Sequence, residues 1–317
     1  MMVRKKSLWL LGALSIVLIL IFVFWGLSSS NWEYFLSLRL PKVIALVITG
    51  VAIAFSTLLF QTLTNNRILT PSLLGLDSLY MLVQTLVVFI LGSTSLILIN
   101  NKINFFISVG LMLIFSSLLF KALFKKDTSN IMFFLLFGLI LGTFFQSLTT
   151  FMQMMMDPNE FLHIQDRMFA SFNHVNTEIL LIAFIVISAL VLFSIKYFKL
   201  WDILSLGRDH SINLGVDYHK TIRNMVAIVA ILVSVSTALV GPITFLGLLV
   251  VNLAREFLKT YEHKYLFIGS SLISIVALLG GQLLIERVFN FSTPISVVIN
   301  LIGGVYFLYL LLKENVA

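Results

Sequence analysis

The densest stock of chemically capable groups in this chain of 317 residues lies between Leu200 and Arg223. The stretch reads LWDILSLGRDHSINLGVDYHKTIR and holds Asp202, Arg208, Asp209, His210, Asp217, His219, Lys220 and Arg223. Long apolar runs flank it on both sides. A turn between membrane spans needs only a few residues, so a polar segment of this length has a further task. Leu206-Gly207 and Leu214-Gly215 repeat at a spacing of eight, and each glycine suits the end of a short helix because it adopts a left-handed conformation without a Cβ penalty. The pattern predicts two short amphipathic helices with a bend between them, presenting a rigid polar face to a soluble partner.

Groups for other chemistry are sparse. With no Cys there is no disulfide, thiolate ligand or thiol nucleophile. His163, His174, His210, His219 and His263 form no i, i+4 pair and all read as surface-loop residues, so no metal site is expected. Met152, Met154, Met155 and Met156 read as adaptable apolar surface rather than as copper ligands. Thr143, Gln146, Thr149, Thr150 and Gln153 form a polar stripe at three- and four-residue spacing. Such a stripe either bonds across helices or faces a water-filled path, and Thr143, Gln146, Thr150 and Gln153 are the candidate pathway residues. No G-x-x-x-x-G-K-[ST] loop is present, and no catalytic residue or cofactor is expected.

The elements that carry these residues follow from composition. Hydrophobic residues make up 59% and charged residues 11%, with mean hydropathy +1.05, outside the soluble globular range. The net charge of +7 sits in short basic clusters between apolar runs. That is the pattern of membrane topology, not of a nucleic-acid-binding face. A bilayer core of about 30 Å takes roughly 20 apolar residues as a helix. Candidate spans are 7–27, 40–62, 75–95, 103–124, 131–154, 179–197, 222–240, 242–258, 265–287 and 295–312, an all-α polytopic membrane protein with ten transmembrane helices in one domain, 1–317. The first span is too long for a signal-peptide core, lacks a small-residue cleavage site and is expected to be retained. With the N-terminus inside, the outer segments carry only Arg39, Lys42, Lys102, Arg167 and Arg287 of the 21 Lys and Arg. Both termini and the 200–223 segment are therefore expected on the cytoplasmic face of the cell membrane. Asp77 then lies near the cytoplasmic end of the third span, where it needs a partner or water. Arg67 is the candidate partner.

Two more segments stand out. Arg39-Leu40-Pro41-Lys42 opens the second span, with proline suited to a first helical turn. Arg39 and Lys42 share one face at the outer surface, where they either snorkel or dock an acidic external partner. Gly241-Pro242-Ile243-Thr244-Phe245-Leu246-Gly247-Leu248 forces a tight outer turn and is echoed by Pro71-Ser72-Leu73-Leu74-Gly75-Leu76. If spans two to five and seven to ten repeat, the odd offset of five spans makes the repeats inverted, a transporter signature.

Together these motifs resemble the FecCD family of permeases, the membrane subunits of type II ABC importers for iron-siderophores, haem and cobalamin. The resemblance runs from Arg39 to Lys313. Arg39-Leu40-Pro41-Lys42 is similar to R-L-P-R. Gln61 to Gly75, QTLTNNRILTPSLLG, is similar to Q-x-x-x-x-N-P-L-A-x-P-x-L-L-G, with Arg67 at the usual proline. LGRDHSINLGV is similar to L-G-x-x-x-A-x-x-L-G-V, with Ser211 at the alanine. Val240 to Leu248 is similar to V-G-P-I-x-F-V-G-L, and Ser292-Thr293-Pro294-Ile295 stands where the family has a short outer helix. The chain departs at G-D-x-x-A-R, where Gly281 and Ile285 replace Asp and Arg. Arg287, about 200° further round the helix, does not restore it. It departs again at P-H, where Val251-Asn252 stand. MDPNEF (156–161) and MFASFN (168–173) resemble the subgroup with two different permease chains, typically specific for siderophores, often catecholates.

The resemblance implies a pathway at a permease–permease interface, with a second, homologous and different, permease. It implies two cytoplasmic ABC ATPase subunits gripping 200–223, where Leu206, Gly207, Arg208, Asp209, Ile212, Leu214 and Gly215 are the candidate coupling residues. Ile212 and Leu214 would enter the ATPase groove, with Arg208 or Asp209 at its rim. It implies an extracytoplasmic siderophore-binding protein docking at Arg39 and Lys42, and a ferric siderophore as cargo. Haem, cobalamin or a metal ion are the alternative cargoes. An ion-coupled secondary transporter is the rival class, which would need a carboxylate near the bilayer midplane. None is expected there.

Overall fold

The computed structural model describes residues 2–25, 32–92, 100–124, 131–165, 167–173 and 175–314. Every regular element among them is helical: α1 (Met2–Phe24), α2 (Trp32–Thr64), α3 (Leu76–Leu91), α4 (Asn101–Phe124), α5 (Ile131–Met154), α6 (Pro158–Gln165), α7 (Thr177–Ser194), α8 (Phe198–Leu204), α9 (Arg208–Asn213), α10 (Tyr218–Val240), α11 (Leu246–Leu258), α12 (His263–Arg287) and α13 (Ile295–Glu314). Short 3-10 turns occupy Ser72–Leu74 and Ile195–Tyr197. Local chemistry sets several ends. The Asn176 side chain accepts from the N–H groups of Glu178 and Ile179 at the start of α7, and Asp217 accepts from Lys220 N–H at the start of α10. Gly92 and Gly241 close α3 and α10 with positive φ.

Helix α2 is the axis of the molecule. In its apolar window 78% of residues are buried, against 22% for α1. Around α2 pack α10, α12, α11, α7 and α1; α4 lies on α10, α5 on α3, and α13 on α11 and α12. Phe55 of α2 anchors an aromatic cluster, with ring centroids 4.7 Å from Phe267, 5.8 Å from Trp201 and 6.3 Å from Phe198. Small residues permit the closest approaches: a Cβ at Gly247 would stand 2.0 Å from Thr57 Oγ1, and one at Gly50 2.9 Å from Ser274 Oγ.

Several elements differ from expectation. Seven of the described helices are long and apolar enough to cross a membrane by themselves. The expected spans 75–95 and 242–258 are shorter, at 16 residues in α3 and 13 in α11. Each begins after an irregular approach, 65–75 and 241–245. Pro41 is not in a first turn: α2 starts at Trp32 and runs through it, so the ring leaves the Ser37 carbonyl without its helical donor. Residues 288–294 form turns rather than a short helix, with Asn290 and Phe291 at positive φ. His263 is buried at the start of α12 rather than in a surface loop. His174 lies outside the described residues.

Candidate functional site

The polar stripe on α5 splits between two faces. Thr143, Gln146 and Thr150, joined by Ser147, line a groove of about 670 Å³, with Ser72, Leu73, Gly75 and Ser78 as its other wall and Phe151 and Met154 at one end. The hydroxyls of Thr143, Ser147 and Thr150 donate back to carbonyls four residues earlier, leaving oxygen lone pairs toward the groove. Thr149 faces inward and is fully buried. Gln153 also leaves the stripe, turning to α3 and donating to Thr85 Oγ1 at 3.4 Å. Met154 and Met155 are strongly exposed, whereas Met152 and Met156 pack on the core.

The irregular segment before α3 forms the groove wall by lying directly on α5. Gly75 has φ +86°, and a Cβ there would meet Gly142 Cα at 2.6 Å. A Cβ on Gly138 would meet Leu74 at 2.2 Å. The second irregular segment repeats the arrangement on α13, where a Cβ at Gly303 would lie 2.5 Å from Phe245 Cβ.

The two segments meet. Thr244 Oγ1 donates to Asp77 Oδ2 at 2.9 Å and Ser72 Oγ to Asp77 Oδ1 at 3.2 Å. Helices α3 and α11 rise only about 24 and 20 Å, each short of a 30 Å apolar layer. Asp77 is thus held by Ser72 and Thr244, not paired with Arg67. Arg67 is exposed instead, and its carbonyl accepts from Gln61 Nε2 at 2.6 Å and Asn252 Nδ2 at 3.0 Å. Asn252, at the departure from P-H, thus pins the segment to α11.

At the basic end of the bundle, α8 and α9 are two short helices bent at 205–207. Gly207 has φ +97° and Gly215 φ +81°, and a Cβ on either would meet nothing within 4 Å. Both glycines are needed for backbone conformation alone. Ser211 is fully buried and donates to Gly207 O at 2.6 Å and Ile203 O at 3.1 Å, tying α9 to α8 in a way that alanine could not. Leu206, Ile212 and Leu214 stand exposed, at 57%, 47% and 60%. Asp209 is exposed beside them, and the Arg208 guanidinium lies 5.9 Å from the centre of the Tyr218 ring.

At the opposite end Arg39 and Lys42 are half-buried and engaged. Arg39 Nη1 donates to the Val23 and Trp25 carbonyls, both at 2.8 Å, capping α1. Lys42 Nζ reaches Glu286 Oε1 at 3.4 Å and Asn173 Oδ1 at 3.2 Å. Arg287 Nη2 donates to the Trp25 carbonyl, while Ile285 is buried, so Arg287 serves α1 and does not stand in for an arginine at 285. Nearby a cavity of about 860 Å³ is lined by Asn101, Asn104, Arg167, Asn173 and Gln282 among others, with Arg167 donating to the buried Gln84 Oε1 at 2.8 Å.

A groove open along one face, a polar helical hairpin at one end and cations at the other form the layout of one subunit in a larger membrane assembly. The FecCD transport family matches residues 7–313. This chain belongs to that family. The permease is 58% identical over 312 residues, 98% of both chains, to the petrobactin import system permease protein YclO of Bacillus subtilis (strain 168). It is 24% identical, over 91% of this chain and 89% of the relative, to the petrobactin import system permease protein YclN of the same strain. A solved metal-chelate type ABC transporter in an inward-facing conformation aligns with TM-score 0.84 at 22% identity, over 98% of this chain and 99% of that one, a likeness of fold. The permease is thus a multi-pass membrane subunit of an ABC import system, a transport protein rather than an enzyme. Sequence reasoning missed Ser147, whose i+4 spacing from Thr143 was the available signal, and Ser72 and Ser78, which only the tertiary contact between 72–78 and α5 brings to the groove.

Proposed function

We propose that this permease pairs with a second, different permease and conducts a ferric siderophore of the petrobactin kind through a path between them. The observation that carries the reading is the open groove on α5. Thr143, Gln146, Ser147 and Thr150 present hydroxyl and amide groups on a face that a single chain leaves uncovered, and polar groups toward lipid are costly. A second permease would cover that face and turn it into a water-lined path suited to a polar chelate. Likeness to one of two distinct petrobactin permeases of one bacterium supports both cargo and unlike pairing.

The remaining assignments belong to the same proposal. The chain acts as one unit, with α3, α11 and α13 completing ten crossing elements. The packing of α2 on α12 is matched by α10 on α4, and that of α3 on α5 by α11 on α13, as inverted repeats would give. Both termini and 200–223 face the cytoplasm, where an ATPase seats on Leu206, Ile212 and Leu214, with Arg208 and Asp209 at the rim and Gly207 and Gly215 fixing the aim. Arg39 and Lys42, pre-positioned by their internal contacts, meet acidic side chains of an extracytoplasmic binding protein. Closure of the ATPases displaces α8–α9, and the helical walls open toward one side or the other.

The test is uptake by proteoliposomes holding this permease, its second permease and their ATPase, loaded through the binding protein. Ferric petrobactin should enter with ATP, while haem, cobalamin and unchelated iron should not. Equal uptake of any of those three would reject the cargo assignment. Tight ATP binding by the purified single chain would reject its role as a subunit served by a separate ATPase.

A further inference from the structure

A chain of short hydrogen bonds joins the α8–α9 hairpin to the central helix α2. His263, at the start of α12, is 2% exposed. Its backbone N–H donates to Asp202 Oδ1 at 2.7 Å, and its ring Nδ1 lies 2.6 Å from the same oxygen. Across the ring, Nε2 lies 2.7 Å from Thr62 Oγ1. One imidazole therefore bridges α8, which carries Asp202, to α2, which carries Thr62.

The bridge is stiff and robust. The Thr62 hydroxyl has one proton and two acceptors at hand, Nε2 and the Leu58 carbonyl at 2.9 Å. It donates to a ring whose Nε2 is bare and accepts from a ring whose Nε2 carries a proton, so the link stands in either state. Trp201, with its ring centroid 6.4 Å from that of His263, and the Phe55–Phe198–Phe267 cluster wall off this end of α2. In such surroundings a polar group left without its partner is costly. A flexible contact would absorb a displacement of α8, whereas a planar ring held at both edges passes it on.

The bridge also has an input and an output. On one side Ser211 ties α9 to the end of α8 through the Ile203 and Gly207 carbonyls. On the other, Gln61, the neighbour of Thr62, holds the Arg67 carbonyl at 2.6 Å. The segment that Arg67 belongs to ends in Ser72, Leu73 and Gly75, which wall the groove on α5.

We infer that His263 is a positioning residue that transmits displacement of α8–α9 to α2 and so to the groove wall. The inference rests on the proposal that α9 docks an ATPase. It gives the Asp202–His263–Thr62 bridge a role in coupling hydrolysis to transport rather than in stability alone.

The test uses the whole reconstituted importer with ferric petrobactin as probe, and compares His263→Asn, Thr62→Val and the double variant. Asparagine places an amide near the Nδ1 position and keeps the Asp202 contact, whereas valine removes only the hydroxyl. Each single variant should retain the ATPase on purification and still hydrolyse ATP, while cargo moved per ATP falls by about 2- to 30-fold, the range that residues in coupled networks produce. The double variant should be no worse than the weaker single one, because both break one link. Unchanged cargo per ATP in both single variants, additive losses, or loss of the ATPase from the Thr62→Val complex would each overturn the inference. If His263→Asn fails to assemble, Thr62→Val alone decides, since it changes no charge. Failure of the underlying docking proposal reads out separately: Gly215→Val, with the bridge intact, would then keep its ATPase.

Discussion

Thr244 donates a 2.9 Å hydrogen bond to Asp77 across 167 residues of sequence, and this contact joins the first turn of α3 to the irregular segment that starts α11. Both residues are part-buried, so the bond is shielded from competing water in part. The contact therefore sets how the groove wall at Ser72–Gly75 sits against the second half of the chain.

Asp77 should tolerate Asn and not Leu. Asparagine keeps an oxygen for Ser72 and offers its amide to the Thr244 oxygen, whereas leucine orphans both hydroxyls at a cost of about 1–3 kcal/mol each. Thermal unfolding in detergent should show Asp77→Leu well below the parent and Asp77→Asn close to it. Equal midpoints for the two variants would remove the contact's structural role.

Gly75→Ala should be more damaging than its size suggests. The added methyl meets Gly142 Cα at 2.6 Å on a backbone at φ +86°, combining overpacking of about 1–3 kcal/mol with left-handed strain. Expression should fall modestly, and ferric petrobactin uptake should fall more steeply than the amount of folded protein, because the displaced wall is the groove itself. Uptake that merely tracks protein level would count against the groove.

Gly215→Val should leave membrane insertion and expression near normal. Nothing lies within 4 Å of the added Cβ, while φ is +81°, so the penalty is conformational, about 1–2 kcal/mol, and confined to the hairpin. The ATPase should be lost on purification and uptake abolished. A variant that still pulls down its ATPase and transports at the parental rate would show the hairpin to be an ordinary solvated loop.

Replacing Arg39 and Lys42 by Gln should slow association of the extracytoplasmic binding protein and flatten its salt dependence, since rim charges act mainly on the encounter rate. The two positions should differ in a second respect. Lys42→Gln removes the ion pair to Glu286, and Arg39→Gln removes the donor to the Val23 and Trp25 carbonyls, leaving Arg287 on Trp25. Only the latter should loosen protection of α1 in hydrogen exchange. Stopped-flow association at two ionic strengths checks the first expectation, and unchanged kinetics would reject docking at this end.

The sequence by itself determined the membrane class, the basic bias between the two ends and most span positions, because the bilayer imposes length and composition locally. It also marked Gly207 and Gly215, whose requirement for positive φ is a property of a few neighbouring bonds, and it carried the motifs of the FecCD family. The tertiary structure decided where Asp77 finds its partners, that Asn252 holds the Arg67 carbonyl, which half of the α5 stripe faces a groove, and that His263 is a buried bridge. Their partners lie up to 201 residues away in sequence. Within a membrane protein the lipid-facing and core-facing sides of a helix are similarly apolar, so periodicity does not tell them apart. Helical spacing separates Thr143 from Thr149, but that Thr143 shares a groove with Ser72 emerges only when glycines at 75, 138 and 142 let two backbones touch.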